Sequence, residues 1–95
     1  MGMSFSISYH VDVVTHDIPK LSKSDRDQIK RAIETKLTEN PEVFGKPLRR
    51  SLKGYRKLRM GNYRIIFRIE ETVIKIFVIQ HRSTVYKKID QRLTA

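Results

Sequence analysis

Residues 54 to 69 read GYRKLRMGNYRIIFRI. The stretch holds five cations, Arg56, Lys57, Arg59, Arg64 and Arg68, and no acid. It has the pattern of two strands around a Gly61-Asn62 turn. On neighbouring strands such residues lie ~5 Å apart, and like charges at that distance weaken the pairing. A polyanion would relieve the crowd, so the chemistry to expect is phosphate binding. The same bias runs wider. Eight cations and no acid lie between Lys46 and Arg64. Residues 1–45 carry six Lys/Arg against seven acids, and residues 46–95 carry fourteen against three. The halves are therefore −1 and +11, which makes the chain's net +10. A block this basic repels itself when folded, so a counter-charge belongs beside it. Nucleic acid ranks first, an acidic protein partner second, and a merely solvated basic face third. An anionic membrane surface ranks last, because the cations alternate with strand residues and do not line an amphipathic helix.

The elements that must hold these cations can be read from hydrophobic period. Phe5, Ile7, Tyr9, Val11 and Val13 alternate with polar residues, as in a strand. After Tyr9 a helical stripe of Val11, Val14, Ile18 and Leu21 fits as well, limited by Pro19. Ser24 is the expected N-cap of the clearest helix, with Asp25 and Asp27 in its first turn. Ile29, Ala32, Ile33 and Leu37 form its buried face, and Asn40 before Pro41 ends it. PEVFGKPLRRSLKG reads as a loop. Strands follow at Tyr55–Met60, from Tyr63 to about Ile69, and at Val73–Ile79. The last is the most apolar and is expected to be central. In the second of these, Tyr63, Ile65, Phe67 and Ile69 point one way and Arg64, Ile66 and Arg68 the other. A short C-terminal helix carries Val85, Ile89 and Leu93 as its stripe.

The order implies an α+β fold: a small antiparallel sheet with two N-terminal helices packed on one face and a short C-terminal helix. Residues 1–95 are expected to be one domain, since ~60–65% burial at this size supports one small core. Helices on one face leave the second face of the sheet free for the cations. There is no Cys, which removes disulfides and thiolate metal sites. No apolar run approaches the ~20 residues of a membrane span, and the expected location is the cytoplasm.

LKGYRKLRMGNYRIIFRI, then an apolar strand, then IQHRSTVYK, resembles the RelE/ParE toxin superfamily. The resemblance lies in a Leu-x-Gly lead-in, then Arg-x-Gly-x-Tyr-Arg, then His-Arg-x-x-x-Tyr. It covers about Leu48 to Lys87. Pro19 departs from that family's uninterrupted first helix. The resemblance implies a toxin of a type II toxin–antitoxin pair. RelE-like members cleave messenger RNA in the ribosomal A site, and ParE-like members poison DNA gyrase.

Metal-free RNA cleavage needs a base for the 2′-OH, cations for the charge growing on phosphorus, an acid for the 5′-oxygen and a device that aligns the attack. The RNA supplies the nucleophile. The resemblance makes Arg64 the phosphate clamp, Arg82 the second arginine, which stabilises the transition state or the leaving group, and Tyr86 the residue that stacks on or positions the substrate. It places Lys57 near the 2′-OH. A second lysine of the family falls on Tyr55, with Arg56 intervening, which leaves the base open. His81 is a substitute on chemical grounds, since an ordinary imidazole titrates near ~6.5. A lysine base would need neighbouring cations to lower its pKa. Lys53, Arg56, Arg59, Arg68, Lys87 and Lys88 are the expected RNA-binding cations, and Lys87, Lys88 and Arg92 are the alternative footprint if Lys53, Arg56 and Arg59 do not carry the salt dependence. Each has a plainer role available: Arg64 as an exposed strand residue, Arg82 at a helix start, Tyr86 in the core, His81 as a structural hydrogen-bonder. His10 and His16 read as surface or packing residues, and neither metal nor cofactor is expected.

The retained Lys57, Arg64, Arg82 and Tyr86 favour the RelE-like endoribonuclease. The alternatives are a ParE-like gyrase inhibitor and a non-catalytic module binding nucleic acid or antitoxin. The expected partners are an acidic antitoxin, mRNA and the 70S ribosome.

Overall fold

A computed structural model of the protein describes residues 5–48 and 54–93. In it β1 (Ser6–Tyr9) ends in a ladder bond from the His10 N–H to the Ile76 carbonyl. The backbone then turns helical, so the helical stripe wins over the strand pattern from Val11 onward. Val13–Asp17 is a π turn and Ile18–Lys20 a 3-10 turn. Pro19 sits in the opening turn of the latter, where a missing N–H costs nothing. Helix α1 (Lys23–Ala32) follows and runs on as a π turn over Ile33–Leu37.

The cap of α1 lies two residues before the expected Ser24. Ser22 Oγ accepts the Asp25 N–H at 3.1 Å. Both serines have an aspartate three residues on. Ser22 wins because Leu21 is extended and buried, which forces the helix to restart directly after it. Within the expected loop two short elements form. Helix α2 (Pro41–Phe44) has Pro at its first position, and β2 (Lys46–Pro47) is a two-residue edge strand closed by its proline. Gly45 between them is required by space: a Cβ there would run into the buried Phe67 ring.

Strands β3 (Tyr55–Met60), β4 (Tyr63–Glu70) and β5 (Val73–His81) form the expected meander. Met60 pairs with Tyr63 across the two-residue loop, and Gly61 takes φ +58°, which its lack of a side chain permits. The second loop uses Glu71 at φ +56°. The sheet order is β1-β5-β4-β3-β2. Two details of the expected α+β fold change. β1 runs parallel to β5, so the sheet is mixed and not wholly antiparallel. β5 is interior, as its apolarity requires, but β4 holds the middle position.

The third change concerns the faces. Leu58, Ile65, Phe67, Ile74, Ile76 and Ile79 meet Ile29, Ile33 and Leu37 on one side, which forms the main core. Helix α3 (Val85–Leu93) packs on the other side. Its Val85 and Ile89 close over Ile66 and Val78. The second face is therefore not bare. α3 bridges its middle row, and the cations lie around the bridge.

Candidate functional site

Strand alternation sorts the basic residues before any contact is considered. On β3, Tyr55, Lys57 and Arg59 face α3, while Arg56, Leu58 and Met60 face α1. On β4, Arg64, Ile66 and Arg68 face α3. Arg59 is the direct cross-strand partner of Arg64, and Lys57 of Ile66. The buried Ile66 gives α3 its seat, and the cations on either side of it stay open to solvent.

Lys57 and Tyr86 meet directly. The lysine Nζ donates to the phenolic oxygen at 2.9 Å, and its charge lies 5.5 Å from the ring centroid. Twenty-nine residues separate the two. Val85 and Ile89 hold α3 against the sheet, which leaves neighbouring Tyr86 pointing away from the core and 49% exposed. That excludes the core role for Tyr86.

Arg64 folds back over the hairpin. Its Nη1 donates to the carbonyls of Gly61 (2.8 Å) and Tyr63 (2.9 Å). Those two bonds use both Nη1 hydrogens, which leaves the Nε and Nη2 donors for an anion. Arg82 follows the end of β5, and its N–H bonds the Asn62 carbonyl at 2.8 Å. The hairpin turn thus brings the start of the α3 segment next to the Arg59–Arg64 pair. Among the described residues, Lys57, Arg59, Arg64 and Arg82 form no ion pair. Their charges are unmatched on an open surface, which suits a multiply charged anion.

Other expected site residues lie elsewhere. His81 pairs with Tyr63 on the α1 side of the sheet rim, with ring centroids 5.8 Å apart. Its Nδ1 accepts the Ser83 N–H at 3.2 Å and lies 2.8 Å from Ser83 Oγ. The nitrogen that could take a proton is thus committed to the turn, and the ring is on the wrong side of the sheet for Lys57. The geometry gives His81 its structural role. Beside it the Tyr63 phenol is held above its ordinary pKa, first by desolvation and then by the Asp25 carboxylate.

Arg56 also points to the α1 side, where Nη1 bonds the Gly45 carbonyl at 2.9 Å and ties down the α2–β2 corner. Arg68 remains on the α3 side but at the far end of the sheet, within 3.7 Å of Glu70. Lys87 and Lys88 ride on α3. Lys53 lies outside the described residues. Arg92 is no surface contact. Its side chain is 5% exposed, and its Nη1 donates to Asp17 Oδ2 at 2.7 Å and to the Phe77 carbonyl at 2.9 Å.

Asp17 was not expected to matter at all. It is the buried acid of the main fold, and it also accepts from the Ile79 N–H and the Gln80 side-chain amide, both at 2.8 Å. β1 stops at Ile76, so β5 has unpaired backbone beyond that point. Asp17 and Arg92 take the place of the missing strand. Among the described residues no cluster of His, Asp and Glu could hold a metal ion, and no helix is long and apolar enough to cross a membrane.

Comparison with known proteins places this geometry. Toxin RelG of Mycobacterium tuberculosis is 41% identical over 54 residues, a match spanning 55% of this chain and 62% of RelG. Toxin RelE of the same organism is 30% identical over 90 residues, covering 90% of this chain and 93% of that protein. The crystal structure of the toxin–antitoxin complex RelBE2 from M. tuberculosis superposes with a TM-score of 0.79 at 28% identity, over 85% of this chain and 94% of that one. The family model described as ParE toxin of type II toxin-antitoxin system, parDE, matches residues 12–86, and with this match the chain belongs to the RelE/ParE toxin superfamily.

Proposed function

We propose that the protein is the toxin of a type II toxin–antitoxin pair that acts as an endoribonuclease on mRNA in the ribosomal A site. One observation carries the reading: Lys57 and Tyr86 in contact at 2.9 Å beside the unmatched Arg59–Arg64 pair. A phosphate held on the Nε and Nη2 donors of Arg64 would lie along the sheet from Lys57. Lys57 then takes the 2′-OH proton, with Tyr86 fixing the position of its amine. Arg82 and Arg64 stabilise the charge that grows on the phosphorus oxygens. The 2′-oxygen attacks phosphorus, the P–O5′ bond breaks as the departing 5′-oxygen takes a proton from solvent, and the products are a 2′,3′-cyclic phosphate and a 5′-OH. His81 has no part in this scheme.

The toxin relatives named RelE and RelG support the branch, and the RelBE2 complex supports an antitoxin partner, which the net charge makes acidic. Action on ribosomes places the protein in the cytoplasm. A ParE-like gyrase inhibitor is the second reading, favoured by the description of the matching family model.

The test adds purified protein to translating ribosomes and maps new 5′ ends on the message. Cleavage is expected, and Arg64→Ala is expected to slow it ~100- to 1,000-fold, the usual cost of one transition-state contact. Intact message together with trapped breaks in supercoiled DNA would establish the gyrase reading instead. Cleavage by Arg64→Ala within threefold of wild type would move the phosphate site elsewhere.

A further inference from the structure

Helix α3 divides the second face of the sheet in two, and the half away from Arg64 is also shaped. The register of β4 on β5 passes from Ile66↔Val78 to Phe67↔Ile76, which leaves Phe77 without a partner. This bulge turns Phe77 and Val78 to the same face. Val78 goes beneath α3, and Phe77 emerges beside it, packed against the same cluster but only half-buried. Bulges often re-aim a side chain at a functional surface. Here Phe77 becomes the floor of an open recess of about 250 Å³.

The walls are aromatic and cationic. Tyr55 lies over Phe77 with centroids 5.1 Å apart and planes tilted by 36°. His10 stands edge-on to Phe77 at 5.5 Å. Arg68 lies 5.8 Å from the Tyr55 centroid. Lys75 is the cross-strand partner of Arg68, and both reach toward Glu70, at 3.3 Å for Lys75 and 3.7 Å for Arg68. One carboxylate thus serves two cations. The rim keeps a net positive charge around a floor of π faces. Tyr55 also stands two residues along β3 from Lys57, about 7 Å away on the same face.

We propose that this recess is a nucleobase subsite, which takes one unpaired base of single-stranded RNA on the Tyr55–Phe77 floor and its phosphate on Arg68 and Lys75. Stacking on aromatic side chains with cations along the backbone path is the general way proteins hold single strands. The recess would seat a nucleotide flanking the cleaved linkage, so the inference rests on the RNA-cleavage reading for its role and on its own geometry for binding. An acidic or aromatic peptide is the competing occupant. The base is favoured because Tyr55 stands two residues from Lys57 on the same strand and the same face, about 7 Å away and within one nucleotide's reach.

The experiment titrates the full chain into a short single-stranded RNA with 2-aminopurine at each position in turn, and follows fluorescence. One position is expected to be quenched on binding. Tyr55→Leu keeps bulk but removes the ring, and it should lose that quench and weaken binding ~5- to 100-fold, as loss of one stacked base does. Arg68→Met should weaken binding and keep part of the quench. Lys30→Ala, an exposed position on α1 across the sheet, should keep the quench in full. In the ribosome assay Tyr55→Leu should raise the half-saturating concentration and leave the maximal rate within threefold. If wild type quenches but does not cleave, the subsite stands and the catalytic reading falls. If Tyr55→Leu, shown folded by its melting curve, binds and quenches like wild type, the subsite is overturned. The same holds if it loses affinity only for the antitoxin, since the recess then belongs to a protein partner.

Discussion

Asp17 and Arg92 stand 75 residues apart in sequence and meet with both side chains out of water. Arg59 and Arg64 stand five apart and meet across one hairpin, with water on one side. The first pair is closed on every side. Asp17 accepts from Ile79, Gln80 and Arg92, and Arg92 also serves the Phe77 carbonyl. The second pair is two like charges with carbonyl partners on one member and no carboxylate on either. Charge that the fold uses for itself is fully matched, because an unmatched buried ion is too costly to keep. Charge left unmatched in the open costs the fold little and is available to a ligand. Function in this protein is therefore to be sought where electrostatic pairing is incomplete.

The largest test of this contrast is at the closed corner. Asp17→Ala takes from Arg92 its two-oxygen anion, leaving it only the part-exposed Asp12 carboxylate 3.8 Å from Nε, and leaves the Ile79 N–H without its acceptor. Removing one member of a buried pair typically costs ~3–5 kcal/mol. For a chain of this size that lowers Tm by more than ~12 °C. Replacing both, as Asp17→Leu with Arg92→Met, should restore much of the loss, since an apolar pair of similar bulk carries no orphaned charge. Thermal melts followed by circular dichroism decide it. A Tm for Asp17→Ala within ~4 °C of wild type would show that the corner is not sealed.

The intermediate test is on the open side. Each phosphate neutralised on single-stranded RNA adds about 0.7 to the slope of log affinity against log salt. Arg59→Ser with Arg64→Ser should lower the slope by about 1.4, with the fold intact. Arg26→Ser with Lys30→Ser removes the same charge from exposed positions on α1, on the far side of the sheet, and should leave the slope unchanged. Equal effects from the two doubles would mean that net charge binds RNA and the Arg59–Arg64 face has no special part.

The sequence was most legible where structure is local. The β3–β5 meander and the Gly61-Asn62 turn follow from a period of two and one glycine, and the structure agrees with them closely. The expected family was legible from the ordered motifs between Leu48 and Lys87. What was hidden depends on contacts across the chain. Nothing near Ser6 states that it will pair in parallel with Val73. Nothing near Asp17 states that β5 will outrun β1 and need a carboxylate. Arg92 looks like any other cation of the basic half until its partner is known. The bulge at Phe77 is likewise a matter of register between strands. Arg56 and Lys57 are adjacent on a strand and cannot share a face, so the alternation that sorts β4 also sends Arg56 to the α1 side, away from Lys57 and Arg59.

The smallest test asks whether the open pair strains the fold at all. Arg59 and Arg64 are direct cross-strand partners, and like charges so placed are destabilising by a fraction of a kcal/mol to about 1. Arg64 also holds the hairpin through Gly61 and Tyr63, so its removal would mix two effects of opposite sign. Arg59 has no such bond among the described residues, which makes it the cleaner probe. Arg59→Thr places a β-branched residue with good strand propensity opposite Arg64 and ends the repulsion. Its Tm should rise by a few degrees at low salt, and the gain should shrink toward zero in 1 M salt, where screening acts over ~3 Å. RNA affinity should fall in the same variant. A more stable and weaker-binding protein is the signature of a residue kept for its ligand at a cost to the fold. If Arg59→Thr instead melts several degrees lower at every salt concentration, Arg59 supports the hairpin, and the open face is less free of structural duty than its missing ion pairs imply.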